Sequence, residues 1–155
     1  MRRAESRTAK MPALPWRALA DPVILSTLPH FLALCFVLGR ARAGSVLFAA
    51  YAAVIAASAA LSIAWHAQHE RKNWVFWADY ALALAWTLMD FAVAYATQPG
   101  ALSTVAIANA TVLVANWLTD HWAREGTLPY ATGHSAWHLL SCAKSIYVAH
   151  LLGSA

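Results

Sequence analysis

Charged side chains are scarce in this sequence. Only 12% of the 155 residues are Asp, Glu, Lys or Arg, whereas 61% are hydrophobic and the mean hydropathy is +0.50. A water-soluble domain carries about 25% charged and about 45–50% apolar residues. A chain of this length folds around one core, and this one has too few polar side chains to cover it. An ordinary cytosolic domain and a disordered chain are both excluded. Cysteine is nearly absent too: Cys35 and Cys142 are the only two, and both sit in apolar runs. A disulfide scaffold is therefore excluded, and both are expected to act as small buried hydrophobes. Strand-like alternation is missing, which argues against a β-barrel, and there is no internal repeat. The pI near 9.4 would suit nucleic acid, yet five of the eleven Lys and Arg residues lie in the first seventeen positions and no basic face interleaves with aromatics. No nucleic-acid partner is expected.

What the sequence does have is long apolar runs. Five of them, approximately Pro22–Gly39, Ser45–His66, Trp74–Ala96, Ala101–Thr119 and Ala131–Leu152, approach the roughly 20 residues that a helix needs to cross the hydrocarbon core. Lipid offers exposed backbone groups no partner, so these runs must be helical. The expected fold is all-α, a polytopic transmembrane helix bundle of about five spans. It occupies residues 17–155 as one domain, after a basic tail over residues 1–16 that lacks the apolar core of a secretory signal. Basic residues orient the bundle. Arg2, Arg3, Arg7, Lys10, Arg17, Arg71, Lys72 and Arg124 fall on one side, and only Arg40 and Arg42 on the other. That bias places the amino terminus in the cytoplasm. Ala49, Ala53, Ala56, Ala57 and Ala60 suit close helix–helix approach. Trp16, Trp74, Trp77, Trp117 and Trp122 sit near span boundaries, as an aromatic belt would, and Trp65, Trp86 and Trp137 read as packing or cavity walls.

Ionisable groups are costly within spans and are functional candidates by default. The informative positions are Ser62, His66, Asp79, Asp90, His134, His138 and Lys144. Four-residue spacing stacks His134 and His138 on one helix face, where two imidazoles can share a metal; Ser62 and His66 repeat that spacing. Asp79 lies about 7 Å into the third span. The second span ends on the side where the third and fifth begin. His66, Asp79, His134 and His138 therefore share one layer, in the cytoplasmic leaflet. Three imidazoles with an open fourth position are the usual arrangement of a catalytic zinc, whereas a structural zinc is generally closed by four protein ligands. Asp90 falls roughly 20° from the face of Asp79 and about 16 Å deeper, and its depth nearly matches that of Lys144. A buried ion pair fastening the third span to the fifth is expected. Asn109 and Asn116 read as interhelical hydrogen-bond partners. His69 and Glu70 read as a solvated loop and His121, beside Asp120, as interfacial. His30 and His150 are assigned no chemistry. A retinal-bearing Lys144 is set aside, because five spans are too few for that fold and the histidines would be left unexplained.

Taken together, Ser62-x3-His66, Asp79-Tyr80 and His134-x3-His138 resemble the signature of the CREST superfamily of membrane hydrolases, which includes alkaline ceramidases, progestin and adipoQ receptors and myomaker-like proteins. The segment Gly133-His-Ser-Ala-Trp-His-Leu-Leu140 is similar to their last-span motif. Members typically have seven spans. Omitting two between Asp79 and His134 preserves the side on which each residue falls, but removes helices that would wall a lipid cavity. The resemblance implies a zinc ion (Zn2+) held by His66, His134 and His138, with Asp79 deprotonating the metal-bound water and Ser62 hydrogen-bonding nearby. The alternative for Ser62 is a bond from its hydroxyl back to the Ser58 carbonyl. The function implied is a zinc-dependent, ceramidase-like intramembrane hydrolase acting on a lipid amide or ester, with a membrane lipid as substrate. A non-enzymatic receptor-like or membrane-remodelling protein with a structural zinc would use the same residues. A transporter would need polar residues continuing across the bilayer, and only Asp90, Asn109 and Lys144 lie that deep.

Overall fold

The computed structural model describes residues 21–40, 45–126 and 128–152. The basic tail expected over residues 1–16, Trp16 and Arg42 lie outside the described residues. Regular structure among the described residues is all helical: α1 (Pro22–Thr27), α2 (His30–Arg40), α3 (Val46–Ala67), α4 (Trp74–Thr97), a 3-10 turn (Pro99–Ala101), α5 (Leu102–Glu125) and α6 (Tyr130–Leu152). Capping side chains set several boundaries. The Asp21 carboxylate accepts from the Val23 N–H at 2.9 Å, ahead of Pro22 in the first turn of α1. Asn73 opens α4 by accepting from the Val75 and Phe76 N–H groups at 3.0 and 3.3 Å. Gly126, at φ +70°, closes α5 in the left-handed conformation that glycine adopts freely. α5 therefore continues past Thr119, and Asp120 and His121 are helical rather than in a loop. His121 stacks on Trp117 with ring centroids 5.2 Å apart and pairs with Glu125 at 3.4 Å.

Pro29 divides the first span into α1 and α2. It has no N–H to give the Leu25 carbonyl, which takes the Leu28 N–H at 3.2 Å instead. The Pro29 carbonyl in turn accepts the Cys142 thiol at 3.0 Å, and His30 turns Nδ1 back to the Thr27 carbonyl at 2.9 Å. The break thus ties α1 and α2 to α6.

Four stretches are long and apolar enough to cross a membrane: Pro22–Arg40, Val46–Ala67, Trp74–Thr97 and Pro99–Glu125. The chain is a membrane-integral helical bundle. The expected fifth span, α6, has similar length but is not among these four, because His134, His138, Lys144 and several serines lower its apolarity. Its position accounts for them. α6 packs against α1, α2, α4 and α5, and His134, His138, Ser141, Lys144 and Ser145 are all buried. The core around it is built from Val37, Tyr51, Ile55, Val93, Val105 and Val148.

Two expectations about packing change. Of the alanine set on α3, Ala49, Ala53, Ala57 and Ala60 face outward and Ala56 is half-buried; the buried face is Phe48, Tyr51, Ala52, Ile55, Ser58, Ala59 and Ser62. Lipid tails are as apolar as the core, so apolarity alone does not say which face of such a helix packs inward. Cys35 is also exposed, and only Cys142 is buried; both thiols are free. Trp74, Trp77, Trp117 and Trp122 project outward, as a boundary belt requires, while Trp65 and Trp86 are buried and Trp137 half-buried.

Candidate metal centre

Helix periodicity brings His134 and His138 onto one face of α6, and the end of α3 delivers His66 against them. Ring centroids are 4.9 Å apart for His66 and His134, 5.6 Å for His66 and His138, and 4.8 Å for His134 and His138. All three are buried, and one nitrogen from each lies within 4.8 Å of the others. Hydrogen bonding fixes the orientation of His66. Its Nδ1 is 2.9 Å from a carboxylate oxygen of Glu70. An ionised carboxylate only accepts, so Nδ1 carries the proton and Nε2 turns a lone pair inward. That Nε2 is 3.4 Å from Nε2 of His138. Among the described residues neither ring nitrogen of His134 has a hydrogen-bond partner, and both are buried. Buried polar atoms left unpaired cost about 1–3 kcal/mol each, and a cation that accepts the lone pair of His134 removes that cost for one of its two nitrogens. Metal–nitrogen bonds of about 2.0–2.1 Å in a tetrahedral site set the nitrogens about 3.3 Å apart, the spacing that His66 and His138 already have. The triad can hold a metal ion.

Glu70 reaches His66 through an unusual turn. After α3 ends, His69 and Glu70 both adopt φ +56°, a left-handed conformation disfavoured in residues with a Cβ. The Glu70 N–H closes on the Trp65 carbonyl at 3.2 Å, and the carboxylate folds back over the helix end. Burial opposes its charge. The His66 hydrogen bond and the neighbouring imidazoles outweigh that effect and hold the Glu70 carboxyl below the usual carboxylate range. The loop expected to be solvated is thus divided: His69 is exposed, while Glu70 is half-buried and supports the triad. A carboxylate behind a ligating histidine fixes its tautomer and raises its basicity.

Asp79 and Ser62 are buried beside the triad and line a cavity of about 270 Å³ together with His138. Among the described residues no group hydrogen-bonds the Asp79 carboxylate, and the Ser62 hydroxyl makes no bond back to Ser58. Both remain available to a ligand. The cavity runs past Ala83, Trp86 and Val112 toward Asn109 and Lys144. It reaches the outer surface between α4 and α5, where the lining residues Leu84 and Leu113 are 61% and 62% exposed. A largely apolar cavity with a few polar groups therefore opens sideways between α4 and α5. Asn116 and Tyr80 also line it.

At the far end, Lys144 forms the expected ion pair with Asp90. Tyr51 donates to the other Asp90 oxygen at 2.7 Å, and Lys144 also donates to Asn109 Oδ1 at 3.2 Å, which makes Asn109 the interhelical partner anticipated for it. Helical rise and rotation alone sufficed to find this pair. His30 was not found that way. It is buried against the site, edge-on to His138 with ring centroids 5.5 Å apart. Thr27 joins it, with Oγ1 3.5 Å from His138 Nε2. The signal that was available is Pro29, since a proline within a span marks a break whose freed carbonyls need partners. His150 lies at the other end of the bundle, 2.9 Å from Arg40.

No family model, curated protein or solved structure matches this chain.

Proposed function

We propose that the chain is a zinc-dependent membrane hydrolase that cleaves a lipid amide or ester. The observation that carries this reading is a buried histidine triad whose His138 lines a cavity shared with Asp79 and Ser62 that opens between α4 and α5. The pattern of Ser62, His66, Asp79, His134 and His138 resembles the CREST superfamily and supports the same reading. His66, His134 and His138 would hold the zinc, with Glu70 presenting Nε2 of His66. Bound zinc lowers the pKa of water toward about 7 and polarises a carbonyl. Asp79, which has no hydrogen-bond partner among the described residues, accepts a proton from the attacking water and returns it to the leaving amine or alcohol. The Ser62 hydroxyl holds the water or the carbonyl oxygen in register. Leu84 and Leu113 admit a chain from the bilayer, so the scissile bond need not leave lipid. The bias of basic residues supports a site in the cytoplasmic leaflet.

The test is metal analysis of purified chain, followed by assay of fatty-acid release from a panel of lipid amides and esters with and without chelator. Stoichiometric zinc with chelator-sensitive release is the expected result. Zinc without release from any lipid would favour a structural zinc in a receptor-like or membrane-remodelling protein. Absence of bound metal would overturn both readings.

A further inference from the structure

Thr27 has no part in the proposed hydrolysis, yet its hydroxyl stands at the edge of the triad. It is the last residue of α1, is fully buried, and lines the cavity with His138, Ser62 and Asp79. Its Oγ1 lies 3.5 Å from Nε2 of His138, and Nε2 of His66 lies 3.4 Å from that same nitrogen. Ligands of a tetrahedral ion are about 3.3 Å apart at metal–nitrogen lengths of about 2.0–2.1 Å. Oγ1 is therefore about one ligand spacing from the nitrogen that His138 turns toward His66. Its side of the triad matters as well. Substrate reaches the fourth position of the ion from the cavity, and of the three histidines only His138 lines that cavity. Thr27 borders the open side of the site.

With an ion on the triad, the hydroxyl has one role left. It carries one proton and two lone pairs. That proton has two neighbours, the Val23 carbonyl at 3.1 Å and Nε2 of His138. An ion occupies the lone pair of Nε2, so the proton goes to Val23, a carbonyl that Ser26 also approaches at 2.7 Å. Oγ1 is then an acceptor only. We propose that Thr27 accepts a hydrogen bond from the attacking water and so orients it. The water has two protons: Asp79 takes the one that leaves, and Thr27 holds the one that stays. A lone pair is left to face the substrate carbonyl. The proposal rests on the triad holding an ion. It also makes Thr27 a filter at the fourth position, favouring a ligating atom that keeps a proton and opposing one that presents only lone pairs.

The test uses the purified full chain loaded with cobalt, whose visible spectrum reports ligand exchange where zinc, with its filled d shell, is silent. Azide and trifluoromethanesulfonamide are titrated into the wild type, Thr27→Val and Thr27→Ser. The ligating nitrogen of azide has no proton, whereas that of the sulfonamide anion keeps one. Neither probe is a substrate, so the result is independent of turnover. Thr27→Val keeps the shape of the side chain and deletes the hydroxyl. It should bind azide about tenfold more tightly than the wild type and the sulfonamide about tenfold more weakly. Thr27→Ser should follow the wild type. A change in packing alone moves both probes the same way. Unchanged affinities in Thr27→Val, or a shift of both probes in one direction, overturn the acceptor role. Loss of cobalt from both Thr27→Val and Thr27→Ala, with Thr27→Ser still loaded, makes the hydroxyl a ligand and overturns it too. A wild type that takes up no cobalt overturns instead the metal reading on which the proposal rests.

Discussion

His66 turns Nε2 inward because one neighbour, Glu70, occupies its other nitrogen. Glu70→Ala should therefore weaken zinc binding by about 10- to 100-fold in chelator competition. Glu70→Gln, which keeps an acceptor oxygen, should recover part of that loss. Unchanged affinity in Glu70→Ala would remove Glu70 from the site. Asp79 and His134 divide differently. His134→Ala should abolish stoichiometric zinc, whereas Asp79→Asn should keep the metal and lose turnover; metal loss in Asp79→Asn would make the carboxylate a ligand. The sequence displays the histidines and Ser62 openly, because their four-residue spacings lie within helices and a helix repeats on its own face. Glu70 also stands four residues from His66, but beyond the helix end. Only the left-handed backbone at His69 and Glu70 brings it back, and no residue type there announces that turn. His30 is hidden for another reason: its partner is set by how α2 docks on α6.

α4 and α6 are joined by their charges. Asp90 and Lys144 are buried together, with Tyr51 and Asn109 completing their hydrogen bonds. Removing one partner of such a pair costs about 3–5 kcal/mol, while replacing both with apolar residues recovers much of it. Thermal unfolding in detergent of Asp90→Leu, Lys144→Leu and the double variant should show that recovery. A double variant as unstable as both single losses together would mean that the two charges act independently. α5 and α6 meet more tightly still. A Cβ at Gly133 would lie 3.0 Å from the Thr119 methyl and 3.1 Å from its hydroxyl, and a β-branched side chain yields little. Gly133→Ala should push the start of α6 away and destabilise by about 1–3 kcal/mol. Because His134 is the next residue, zinc affinity should fall with it. A Tm and a chelator titration on one preparation check both, and unchanged values would show that α6 absorbs the methyl group. Depth along each helix was legible in the sequence because rise per residue is constant. The inward face of α3 was not, because in lipid an alanine stripe and an aromatic stripe are both apolar.

The bundle leaves its cavity open between α4 and α5, and the proposed hydrolase would admit a chain there. A cavity of about 150 Å³ holds benzene, so about 270 Å³ takes roughly eleven non-hydrogen atoms. That suits one chain segment rather than two. Leu84→Trp and Leu113→Trp, placed at the opening, should each lower kcat/KM for lipid substrates about tenfold or more with zinc content unchanged. Full activity in both would mean that substrate enters elsewhere. The central placing of α6 also bears on how the protein is made. A Lys or Asp in the middle of a lone spanning helix costs about 2.5–3.5 kcal/mol on insertion, and α6 carries Lys144 together with His134 and His138. It is inserted at lowest cost when Asp90 and Asn109 are already in the membrane to receive it. A nascent chain that has emerged only through α5 has His66 but not His134 or His138, so the triad comes into being only once α6 has emerged.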